Sequence, residues 1–169
     1  MCIRDSISPH DDDVALGGAL LIQLAKAEGV PVYLIIVTNG SMGYCSLPEK
    51  ETIASIRQKE TYQCYQLLGI PKENIIWLGY QDCSLAHFQG RRPATNKGEP
   101  VIEDYTGLQN SFTYFLRQIR PTQCFIPTYQ DLHPDHKYTY QEFMISIFHA
   151  TGSIWPELGT PLEAVPYIH

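Results

Sequence analysis

Two short segments concentrate the side chains able to do acid–base and metal chemistry: Ser8-Pro9-His10-Asp11-Asp12-Asp13 and His133-Pro134-Asp135-His136. A catalytic zinc takes three nitrogen or oxygen ligands from the protein and keeps one position open for water. His10 and Asp13 stand three residues apart where a strand should turn into a helix, so both can converge on one point, and His136 can complete the set. So many carboxylates and histidines on one edge are electrostatically costly unless a cation absorbs the charge. Water activated at such a site needs a base, and Asp12 is placed for it, beside a ligand yet free to take a proton. His133 would lie across the site, where a protonated imidazole can stabilise an oxyanion or protonate a leaving amine. Asp135 is the expected partner that holds that imidazole in orientation. Plainer readings exist: an acidic helix N-terminus for Asp11 to Asp13, and a turn opening a helix for His133 to His136. Each explains one or two residues, and neither explains why two His-Asp clusters should face one another.

The elements that must position these clusters follow from hydrophobic spacing. Val14 to Glu28 carries Leu16, Leu20, Leu21 and Leu24 at helical intervals and stops at Gly29. Val32 to Val37 is a continuous β-branched run, expected of a strand buried on both faces. Pro48 to Leu68 repeats the helical pattern through Ile53, Ile56, Cys64, Leu67 and Leu68, and Asn74 to Leu78 reads as a second strand. Gln89 to Pro100 is polar and rich in Gly and Pro, as an exposed loop would be. A helix follows over about Asp104 to Arg120, with Leu108, Phe112, Phe115, Leu116 and Ile119 inward. Then come a strand from Cys124 to Pro127 and a last helix from Lys137 to Ala150. Alternation of this kind predicts an α/β fold: a Rossmann-like three-layer α/β/α sandwich with a mostly parallel sheet. Ligands in such folds bind beyond the carboxyl ends of the strands. The His10 to Asp13 run, the Asn39 to Gly43 loop, Asp82 and the His133 to His136 run each follow a strand, so all fall on that edge.

The bulk composition sets limits. A chain of 169 residues, 44% hydrophobic, suits a single domain. A net charge of −6, with Arg91-Arg92 and nearby Lys97 as the only basic clump, speaks against a nucleic-acid or anionic-membrane partner. No apolar run approaches the roughly 20 residues of a membrane helix. Five cysteines without a CxxC pair suit free thiols in a reducing cytoplasm, Cys64 and Cys124 acting as small hydrophobes. Met1 to Ser6 reads as a translated adapter scar, leaving Ile7-Ser8 as the remnant of a first strand, with the domain over 7–169 clipped at both ends.

The two clusters also resemble a known family. Ser-Pro-His-Asp-Asp-Asp followed by Gly17-Gly18, then Val37-Thr38-Asn39-Gly40, Arg57 with Glu60, Leu78-Gly79 before Asp82, and His-Pro-Asp-His are similar to the PIG-L/LmbE-like zinc deacetylases, in order and spacing, from about residue 7 onward. The resemblance implies hydrolysis of an N-acetyl group on an N-acetylglucosamine-like small molecule. It assigns Zn2+ to His10, Asp13 and His136, the base to Asp12 and the oxyanion side to His133, and it suggests substrate contacts at Arg57 and Asp82. Two residues depart from the commonest family pattern: Asp11 stands where Pro is usual, adding a carboxylate near the metal, and Val14 where Glu is usual. Other chemistries stay open at this point. Two His and one carboxylate also suit Fe2+ in an oxygenase, a phosphoesterase is conceivable with more ligands, and the module could bind a sugar or nucleotide without turnover, although Gly17-Gly18 is a poor phosphate loop.

Overall fold

The computed structural model describes residues 4–43 and 45–169. In chain order it runs β1 (Arg4–Ser8), α1 (Asp13–Gly17), α2 (Ala19–Ala27), β2 (Val32–Thr38), α3 (Ile53–Leu68), β3 (Ile75–Tyr80), β4 (Arg92–Pro93), β5 (Tyr105–Thr106), α4 (Leu108–Ile119), β6 (Gln123–Phe125), α5 (Pro134–Thr151) and β7 (Tyr167–Ile168), with short 3-10 turns between them. Five strands form one sheet in the order β3-β2-β1-β6-β7, every pairing parallel. β4 and β5 make a separate antiparallel pair.

β2 shows why a continuous apolar run signals burial on both faces. Ile35 and Val37 join the core under α4 and α5, which includes Leu108, Phe112, Leu116, Phe143 and Ile147. Leu34 and Ile36, of opposite parity, join the core under α2 and α3 with Ile22, Tyr65 and Ile70. The three-layer expectation holds, and the sheet order fixes where the site must lie. The chain winds outward from β1 to β2 and β3, then returns to place β6 on the other side of β1. That reversal opens a crevice beyond the carboxyl ends of β1 and β6.

Several boundaries differ from expectation. The first strand begins at Arg4, so residues 4–6 pair with both β2 and β6. The helix expected over Val14 to Glu28 breaks at Gly17-Gly18 into α1 and α2. Leu16, Leu20, Leu21 and Leu24 are exposed, and α2 instead turns Ile22 and Ala25 inward. α3 starts at Ile53 after a 3-10 turn, and its Leu67 and Cys64 face solvent, whereas Cys124 is buried. The Gln89 to Pro100 stretch contains β4, stapled by Arg92 to Glu99. α5 starts at Pro134, three residues earlier than expected, with proline at a first-turn position that needs no N–H donor. Among the described residues, no helix is long and apolar enough to cross a membrane.

Candidate active site

The turn after β1 carries the first cluster, and polar contacts from its neighbours fix its shape. Thr38, at the end of β2, donates to the Pro9 carbonyl from both its backbone N–H (3.0 Å) and its Oγ1 (2.9 Å). The His10 N–H donates to Asp13 Oδ2 at 2.9 Å, so the opening residue and the first residue of α1 are tied together. Tyr65 of α3 donates its hydroxyl to the Asp11 carbonyl at 2.9 Å and accepts the Ala15 N–H at 2.9 Å. The second cluster opens α5. His133 is its N-cap, its Nδ1 accepting the Asp135 N–H at 3.2 Å.

Folding brings His10, Asp13 and His136 to one point. His10 Nδ1 lies 3.2 Å from His136 Nε2 and 3.5 Å from Asp13 Oδ2, and His136 Nε2 lies 3.4 Å from the same Asp13 oxygen. Ligands about 2.0–2.1 Å from a tetrahedral cation stand about 3.3–3.4 Å from one another, so the donor set fits a divalent metal in number, chemistry and spacing. Two other groups share His10: the His10, His133 and His136 rings, and His10 with Asp82 and Asp135. The last meets the other ring nitrogen, His10 Nε2 lying 3.2 Å from Asp82 and 3.4 Å from Asp135. Both of those carboxylates are buried and already hydrogen-bonded: Asp82 accepts N–H groups of Met42 and Cys83, and Asp135 those of Cys83 and Leu85. Asp13 and His136, by contrast, line an open cleft of about 400 Å³.

The electrostatics point the same way. Burial works against ionisation of Asp13, but hydrogen bonds from His10 and His136 outweigh it and hold its pKa well below the usual carboxylate range. Burial likewise opposes charge on His10, and hydrogen bonds to Asp13, Asp135 and Asp82 override it, pushing its pKa up to about 12. His136 is raised against its burial by Asp13 and then Asp131. The carboxylates draw positive charge to the meeting point of the two imidazoles, which is the field a cation requires.

The remaining expected residues are placed as follows. Asp12 stands at the rim, its side chain 58% exposed and its Oδ2 3.7 Å from Arg57 Nη2. The His133 ring meets the His10 ring edge-on, with centroids 4.7 Å apart. Asp135 does not hold the His133 imidazole with its carboxylate, as expected; that group turns to His10 and to the loop after β3. Asp82, expected to meet substrate, is likewise on His10. Arg57 is paired with Asp11, whose carboxylate faces α3 rather than the ligand triangle. Val14 packs against the α2/α3 core, and no carboxylate stands at that position.

Sequence reasoning missed Asp131. Its Oδ2 lies 2.9 Å from His136 Nδ1, and its Oδ1 accepts the His133 N–H at 2.8 Å. The available signal was its position two residues before His133. It also missed Thr61 and Tyr65, which share with Arg57 the face of α3 turned to the Asp11 turn.

The chain is similar to other proteins in sequence and in fold. It is 27% identical over 136 residues to a probable N-acetyl-alpha-D-glucosaminyl L-malate deacetylase 2 of Bacillus cereus, an alignment covering 77% of this chain and 54% of that protein. It is 26% identical to N,N'-diacetylchitobiose deacetylase from Pyrococcus horikoshii, with a TM-score of 0.75 over 98% of this chain and 58% of that one. The 4-carboxy-2-hydroxymuconate hydratase GalB of Pseudomonas putida has the same fold at 13% identity, with a TM-score of 0.75 over 99% of this chain and 64% of that one. The chain thus spans little more than half the length of the two deacetylases. With the family model described as GlcNAc-PI de-N-acetylase matching residues 6–147, most of its length, this chain belongs to the PIG-L family.

Proposed function

We propose that this protein is a zinc-dependent hydrolase that removes an N-acetyl group from an N-acetylglucosamine-like small molecule. The observation that carries the reading is the triangle of His10 Nδ1, Asp13 Oδ2 and His136 Nε2, with sides of 3.2, 3.4 and 3.5 Å beside an open cleft. The deacetylases it resembles give the reaction class. When bound, zinc supplies a Lewis acid that polarises the amide carbonyl and acidifies a water.

The chain's own residues supply the proton transfers and the orientation. Asp12 makes no capping hydrogen bond to α1 and is open to solvent, so its carboxylate is available as the general base. His133 uses Nδ1 to accept a helix N–H, which puts the ring proton of the neutral tautomer on Nε2. We assign His133 as a hydrogen-bond donor through Nε2 to the oxygen on which charge develops. Asp12, having taken the proton, is the group that returns it to the leaving amine. Asp82 and Asp135 orient His10 through Nε2, and Asp131 orients His136 through Nδ1, as carboxylates behind metal-binding imidazoles do.

The test is acetate release from N,N'-diacetylchitobiose by zinc-loaded protein, alongside metal analysis. Asp12→Asn should keep its zinc while turnover falls about 10²–10⁴-fold, the usual worth of a positioned base. Undiminished turnover in that variant, or turnover that survives complete chelation, would sink the mechanism.

A further inference from the structure

Arg57 is held in a way that bears on which substrates the site accepts. Its Nε donates to both Asp11 carboxylate oxygens, at 2.9 and 3.1 Å, and its Nη2 donates to Asp11 Oδ1. Thr61 Oγ1 reinforces the pair, donating to Asp11 Oδ2 at 3.1 Å. The other side of the guanidinium lies across the loop after β2. A Cβ placed on Gly43 would come within 2.5 Å of Arg57 Nη1 and 2.7 Å of its Cδ, and one on Gly40 within 3.4 Å of Nε. Arg57 is thus covered on both sides, with 20% of its side chain exposed. A planar guanidinium engaged by a carboxylate through two nitrogens has its strongest recognition geometry already occupied.

Acidic groups outnumber basic ones around Arg57. Asp12, Asp13, Asp82, Asp131 and Asp135 crowd the same strand-end edge with His10 and His136 between them, and Asp11 cancels the guanidinium that reaches the rim beside Asp12. A bound dication offsets only part of this. An anionic group arriving at that rim must displace Asp11 from Arg57 or approach the exposed Asp12 carboxylate, and like-charge juxtaposition disfavours both.

We propose that Asp11 withdraws Arg57 from substrate recognition, making the rim beside Asp12 selective for neutral N-acylated sugars over those that place a carboxylate or phosphate there. This rests on the deacetylase reading for its substrate class, but it concerns binding, which is measured separately from turnover. The experiment compares N,N'-diacetylchitobiose, which is neutral, with N-acetylglucosaminyl malate, which is anionic, on the zinc-loaded protein. It reads kcat/KM for acetate release and, by calorimetry, Kd for each compound, at low and high salt. The neutral compound should be favoured at least about tenfold, the preference should shrink at high ionic strength, and Asp11→Asn should shift the ratio about tenfold toward the malate compound. Equal or tighter binding of the malate compound by the parent protein overturns the proposal, as does an unchanged ratio in folded Asp11→Asn. If neither compound releases acetate, the hydrolase reading falls while the Kd ratio still decides this one. If Asp11→Asn does not fold, the parent ratio and its salt dependence decide it.

Discussion

Asp5 gives the fold its sharpest test. It lies in β1, the middle strand of the sheet, opposite Tyr33 on β2 and Cys124 on β6, and is fully buried. It has the strand parity of Ile7, which packs in the α4/α5 core. Neither carboxylate oxygen meets a partner at hydrogen-bond geometry. Burial raises its pKa from 3.8 to about 8, an effect that the Ser6 backbone N–H offsets only in part. A carboxyl whose pKa is higher folded than unfolded holds its proton longer in the native state. Its contribution is therefore full below about pH 4 and is lost as pH climbs toward 8, with a limiting slope of about 1.4 kcal/mol per pH unit. At pH 7, about three units above the unfolded value, the penalty is on the order of 2–4 kcal/mol, allowing for local relaxation.

Asp5→Val removes the ionisable group and fills the strand position with a β-branched side chain. Unfolding by urea, followed by circular dichroism at pH 5 and pH 8, should show the parent losing stability between the two. The difference between variant and parent should widen with pH in the same window, which separates Asp5 from every other ionisable group. At pH 7 the gain corresponds to a rise in Tm of about 5–15 °C for a chain of this size. A difference that stays flat with pH, or a variant less stable than its parent at pH 8, would refute the burial of an unpaired carboxyl in the central strand.

Other perturbations probe the site and its supports. Asp131→Ala should weaken zinc binding about 10–100-fold by freeing the His136 ring, measured by competition with a chromophoric chelator, without changing the far-ultraviolet spectrum. Asp82→Asn should lower affinity in the same range through His10, and a substitution that altered KM alone would return Asp82 to the substrate. Adding zinc should raise Tm in proportion to the logarithm of its concentration, and Asp13→Ala should abolish that shift in a thermal scan. Arg117, buried and donating to the carbonyls of His149, Gly152, Ile154, Trp155 and Gly159 behind α5, should cost about 3 kcal/mol or more on replacement by Ala, read by urea unfolding, while zinc affinity per folded molecule stays unchanged.

What the sequence made legible follows from what is local in it. The run of Val32 to Val37 is apolar at every position, so a strand buried on both faces was readable without knowing its neighbours. The convergence of His10, Asp13 and His136 was readable because the alternation of elements puts all three on one edge. α3 was misread on its inner face. Apolar spacing selected Cys64 and Leu67, but the face turned to the β1 turn carries Arg57, Thr61 and Tyr65, whose partners are polar groups around Asp11. Hydrophobic periodicity has no term for a helix face that docks through hydrogen bonds. The contacts of Asp82 and Asp135 with His10 were not foreseen for a related reason: they depend on where the loop after β3 lands, a tertiary fact. The glycines at Gly17-Gly18 were visible in composition, but the face that α2 turns inward was not.

The same polar face of α3 explains how a turn with almost no apolar side chains of its own can hold His10 and Asp13 in place. Residues 9–13 receive bonds from β2 at Pro9, from Tyr65 at the Asp11 carbonyl, from Arg57 and Thr61 at the Asp11 carboxylate, and from within the turn between His10 and Asp13. The other half of the donor set is fixed separately, His136 by Asp131 and by its place in the first turn of α5. The two halves meet at the crevice made by β1 and β6, so the ligand triangle depends on sheet pairing as well as on the turn. Preorganisation of this kind places the reorganisation cost in folding rather than in binding or turnover. The Asp11 carboxylate docks α3 against the turn, and the proposed charge selectivity at the rim rests on that same contact.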